Sequence, residues 1–117
     1  MNSTKFREVI KKRTECHSEY YDGIEECWEE EIKILSEDVP STIDFLKNEC
    51  TASEYSWISE VIDDLAGITK SRELVNCYKE LMTKFPEECE TYNIAGCIQF
   101  AEEALGGGCN EWRRNLI

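Results

Sequence analysis

The sequence predicts an all-α fold, a single bundle of about six helices packed as irregular antiparallel, solenoid-like pairs. Three observations predict it. Apolar residues recur at three- and four-residue steps through most of the 117 residues, as in helices that bury one face. Capping residues and breakers punctuate that recurrence at short intervals. No stretch alternates apolar and polar side chains in the manner of a half-buried strand. Residues 1–117 read as one domain, with 110–117 as a short tail. At 41% hydrophobic residues the chain can bury a core large enough to offset its entropy.

The first helix opens after Ser3, a capping residue, and aligns Phe6, Val9, Ile10, Arg13, Cys16, His17 and Tyr20. Asp22-Gly23 breaks it. A second helix follows with Ile24, Cys27, Trp28, Ile32 and Leu35 on one side and Glu26, Glu29 and Lys33 on the other. Glu29 and Lys33 form a favourable pair one turn apart. Glu31 falls inside the apolar stripe, where a solvated role does not explain it. Asp38-Val39-Pro40 is a cap followed by a first-turn proline, opening a helix with Ile43, Phe45, Leu46 and Cys50.

Thr51 and Glu54 spell a capping box. The helix they start, expected over 52–67, places Tyr55, Ile58, Ile62 and Leu65 on one face and stops near Gly67. Ser71 caps a helix bearing Leu74, Val75, Cys77, Tyr78, Leu81, Met82 and Phe85, and Pro86 ends or restarts it. A turn through 86–92 leads to Asn93, read as the cap of a last helix with Ile94, Cys97, Ile98, Ala101 and Leu105. Gly106-Gly107-Gly108 stops that helix.

Charge is unevenly placed. The chain carries a net charge of -12, yet residues 1–13 hold five basic side chains against Glu8, and Arg113 and Arg114 lie near the other end. The intervening residues 14–112 carry 24 acids against 6 bases, a net of -18. Such a body suits a basic partner and argues against binding nucleic acid or an anionic membrane, both of which need clustered positive charge. No apolar run is long enough to span a membrane, and the N-terminus carries no apolar signal core. A cytoplasmic location with reduced thiols follows as the expectation.

Nothing in the chain spells catalysis. His17 is the one histidine; on an apolar face it reads as a hydrogen-bonded core residue, and no nucleophile signature surrounds any of the seven cysteines. Zinc sites use closely spaced Cys or His pairs, calcium loops use alternating acids around a glycine, and neither occurs. The glycine run follows a helix instead of opening one, so it is no phosphate loop. No cofactor, metal or enzymatic activity is expected. Cys27, Cys50, Cys77 and Cys97 sit in apolar stripes, where a free thiol packs as a small hydrophobe. The rival pattern is Cys77-x11-Cys89 followed by Cys97-x11-Cys109, which would staple a helical hairpin with two disulfides.

The residues that suggest recognition lie on the expected helix 52–67. On its wheel Trp57 and Asp64 fall almost opposite the core stripe, with Glu60 beside them and Val61 and Ile68 at their margin. One reading packs Trp57 into a second apolar layer. The other makes it an aromatic anchor ringed by Glu54, Glu60, Asp63 and Asp64, an acidic rim that would speed encounter with a basic partner.

This region carries a resemblance. The run NECTA–E–SWISEV–DD from Asn48 to Asp64, Ser71 to Leu74, Phe85-Pro86-Glu87-Glu88 and Tyr92-Asn93-Ile94 resembles small helical immunity proteins. These proteins accompany bacterial contact-dependent growth inhibition toxins and related polymorphic toxins. Phe6 to Arg13, Tyr20-Tyr21-Asp22 and Trp28-Glu29 fit in pattern. Seven cysteines depart from it. The resemblance implies a cytoplasmic, non-enzymatic protein that binds and blocks the C-terminal domain of one cognate toxin, often a nuclease. The alternative is an acidic helical adaptor for a basic protein unrelated to any toxin.

Overall fold

The computed structural model describes residues 1–15 and 21–105. The expectations placed on Cys16, His17, Tyr20, Cys109, the glycine run at 106–108 and the tail at 110–117 therefore lie outside the described residues. Among the described residues the fold is all-helical, with eight helices and no strand: α1 (Ser3–Glu15), α2 (Tyr21–Glu37), α3 (Val39–Asn48), α4 (Ala52–Ile58), α5 (Ile62–Thr69), α6 (Arg72–Glu80), α7 (Pro86–Tyr92) and α8 (Ile94–Ala104). The count exceeds six for two reasons. The helix expected over 52–67 is two helices, and the turn expected over 86–92 is a helix.

Three starts follow the expected caps. Asp38 accepts from the Ser41 N–H, with Pro40 in the first turn, and Ser71 accepts from the Leu74 N–H at 3.1 Å. Thr51 and Glu54 form the reciprocal capping box, at 3.2 and 3.0 Å. Thr51→Ala is expected to cost about 1 kcal/mol of unfolding free energy in a urea melt. An unchanged midpoint would show that α4 does not depend on its cap. Elsewhere the details differ. Asn2, one residue before the expected Ser3, accepts from the Lys5 N–H at 3.0 Å. Gly23 lies inside the first turn of α2 and breaks nothing.

The break between α4 and α5 has a packing cause. The Glu60 and Val61 N–H groups bond back three residues, to Trp57 and Ile58, instead of four. This tighter turn changes the phase of the chain. Val61, expected at the exposed margin, becomes fully buried with Ile58 and Ile62. α5 then runs through Gly67 to Thr69 and ends on Lys70 in a left-handed conformation, φ 53°. Lys70 Nζ donates to the Ala104 carbonyl at 2.8 Å, placing a cation at the C-terminal end of α8. Asn93 also differs from expectation. Its side chain makes no cap bond; its left-handed backbone, φ 51°, joins α7 to α8, a conformation that asparagine tolerates better than most residues.

The buried apolar residues form one cluster. α5 packs most extensively on α8, α1 on α2, α3 on α6, and α2 also reaches α5. Apart from the neighbouring α1 and α2, these pairs join helices distant in the chain, whereas a solenoid stacks chain neighbours. Tyr55 of α4 and Tyr78 of α6, both fully buried, sit at the centre with ring centroids 4.4 Å apart. Tyr55 Oη donates to the Tyr78 carbonyl at 3.1 Å and Tyr78 Oη to the Tyr55 carbonyl at 2.7 Å. Cys27, Cys50 and Cys77 are buried and Cys89 and Cys97 half-buried; Cys77, Cys89 and Cys97, three of the four cysteines of the expected hairpin staple, are in no disulfide. Among the described residues no helix is long and apolar enough to cross a membrane.

Candidate functional site

The five acids and aromatics expected to act together fall into two groups. Glu54 belongs to its own helix cap: one carboxylate oxygen accepts from the Thr51 N–H, and the other accepts from Arg7 Nε at 2.7 Å. It is 7% exposed. Glu60, in the turn after α4, accepts from Arg13 through Nε at 3.0 Å and Nη2 at 2.6 Å, and from Trp28 Nε1 at 3.1 Å. A two-pronged guanidinium–carboxylate pair of this kind is geometrically specific and strong. The Arg13 guanidinium also lies 4.9 Å over the Trp57 ring, a cation–π contact. Two basic side chains of the N-terminal helix therefore neutralise two of the expected rim acids.

Trp57 combines both sequence readings. It packs against the core on one side and carries Arg13 on its face. It also lines a shallow hollow of about 410 Å³ with Ser53, Ser56, Glu88 and Tyr92. The wheel that set Trp57 beside Asp64 does not hold, because the two residues stand on different helices.

Asp63 and Asp64 form the second group. They occupy the first turn of α5, where the helix dipole favours negative charge, and neither makes an ion pair among the described residues. Partial burial and the adjacent Asp63 charge hold the Asp64 carboxyl above the usual carboxylate range. Both residues line a groove of about 720 Å³ between α2, α5 and α8. Ile32, Gly67, Ile68, Phe100 and Ala104 supply its apolar surface. Ile68 is 61% and Phe100 63% exposed, an unusual state for side chains of that size. Phe100 was absent from the sequence expectation. Its signal was its place off the α8 stripe of Ile94, Ile98 and Ala101, where an aromatic has no core to enter.

Glu31 explains its odd place in the α2 stripe by being fully buried, with neither carboxylate oxygen hydrogen-bonded among the described residues. Burial pushes its carboxyl up to about 8, the Glu60 charge adds to the rise, and Arg13 opposes it. The group is therefore mostly protonated at neutral pH.

Three of the described thiols are held protonated. Burial pushes Cys50 up to about 12, with Glu54 adding, and burial also raises Cys77 and Cys97. A protonated thiol is a poor nucleophile. Among the described residues no group of three or more His, Cys, Asp or Glu side chains could hold a metal ion. Comparison of the chain with protein-family models, curated proteins and solved structures finds no match.

Proposed function

We propose that this is a cytoplasmic immunity protein that binds and neutralises a cognate toxin domain, a basic nuclease, through an acidic helical surface, with no catalysis of its own. The observation that carries the reading is the distribution of compensated charge. Glu54 and Glu60 are held by arginines of the same chain, while Asp63 and Asp64 stand at the surface without such partners among the described residues. A nuclease needs a basic cleft to hold phosphate, and carboxylates beside apolar side chains can occupy such a cleft as a shaped polyanion. Charge supplies rate and orientation; shape supplies discrimination between toxins.

Co-expression with the toxin encoded immediately upstream is expected to restore bacterial growth. The purified pair is expected to associate more slowly as ionic strength rises. Persistent growth arrest would refute the reading, and binding to basic proteins without rescue would put the adaptor in its place.

A further inference from the structure

The groove between α2, α5 and α8 has a construction that packing alone does not require. Gly67 lies within α5, where glycine is among the least favourable residues. A Cβ added there would meet only the Ala104 Cβ, at 3.9 Å, an ordinary contact. Neither backbone nor neighbour demands a glycine. Its missing side chain keeps the groove open between α5 and α8. Beside it Ile68 and Phe100 leave most of their surface in water.

The rim has a sign. Asp63 and Asp64 are adjacent like charges, and Asp64 already holds its proton more tightly than a free carboxyl does. A cation would relieve the repulsion; an anion would add to it. A second copy of the chain would bring a molecule of net charge -12 against these carboxylates. Large exposed apolar side chains beside a charged rim are the anatomy of a protein-recognition centre.

From these observations we infer that the toxin docks in this groove, which rests on the function proposed above. The occupant is a basic segment that seats one large apolar side chain between Ile68 and Phe100 and a lysine or arginine against Asp63 and Asp64. Ile68 and Phe100, not Trp57, are the apolar anchors.

The test titrates an inactivated form of the upstream-encoded toxin domain with the full chain and four variants, each checked by a melting curve. Phe100→Glu is expected to weaken binding about thirtyfold. Gly67→Ala puts a methyl group into the groove and favours the helix, so about tenfold weaker binding is expected with an equal or higher melting temperature. The double variant Asp63→Asn with Asp64→Asn is expected to slow association and flatten its salt dependence. Asn76→Ala, on α6, is expected to bind as the unaltered chain does. Binding by the unaltered chain that Gly67→Ala and Phe100→Glu leave unchanged would overturn the groove assignment while the proposed function stands. No binding by the unaltered chain would overturn both. Self-association of the unaltered chain that Phe100→Glu abolishes would give the groove to a second copy, and that too overturns the inference.

Discussion

Glu31→Leu is expected to gain on the unaltered chain as pH rises, by on the order of 3–5 kcal/mol between pH 4.5 and pH 8. The reason is a proton. Glu31 is fully buried without a hydrogen-bond partner among the described residues, and its carboxyl is raised from about 4.5 to about 8. Between those values the folded chain keeps a proton that the unfolded chain has released. The contribution to stability is fully present below about pH 4.5. It is lost as pH rises towards 8, at up to about 1.4 kcal/mol per pH unit. Above that, both states are ionised and the slope vanishes.

Repulsion among the surface acids also grows with pH, but it is common to both chains and cancels in their difference. Urea melts of the two chains at pH 4.5, 6 and 8 measure it. Parallel pH profiles would mean that Glu31 is solvated and ionised in the folded state. Glu31→Gln should show the flattened profile with a smaller gain, because an amide buried at the same place still lacks partners.

The second large effect is expected at the tyrosine pair. Tyr55 stands in the last turn of α4 and Tyr78 in the last turn of α6, where helix carbonyls have few intrahelical donors; the Tyr78 carbonyl also accepts from the Leu81 N–H at 3.2 Å. Each hydroxyl donates to the other's carbonyl, so each ring caps the helix that carries its partner. Burial raises both hydroxyls well above their ordinary range, so they remain donors at neutral pH. Tyr78→Phe removes one cap while keeping the ring, at an expected cost of about 1–3 kcal/mol. Tyr78→Ala also opens a cavity beneath the Tyr55 ring, and about 3–5 kcal/mol is expected. Chemical denaturation of the single and double phenylalanine variants gives the coupling. Strictly additive losses would show that the two caps act independently.

Local grammar carried much of the fold. Asp38, the Thr51–Glu54 box and Ser71 are caps whose partners lie within three residues, and the apolar stripes of α3 and α6 entered the core as their spacing implied. The break at 59–61 escaped because a turn bonded three residues back preserves the look of a helical period while changing its phase. α7 escaped because Pro86–Tyr92 buries no residue and so has no stripe to read.

The candidate site was legible in part. Asp63, Asp64 and Trp57 are surface features of their own segment. The pairing of Glu54 and Glu60 with arginines 47 residues earlier is purely tertiary. An acid-rich stretch looks the same whether or not a distant helix returns to neutralise it.

The Arg13–Glu60 contact binds three positions into one hereditary unit. Glu60 satisfies the Arg13 guanidinium and the Trp28 indole at once. A lineage that loses Arg13 inherits an uncompensated carboxylate in the turn after α4, beside a buried Glu31 that Arg13 no longer steadies. One that loses Glu60 strands an arginine and an indole together. A substitution at any one of the three positions therefore disturbs the other two.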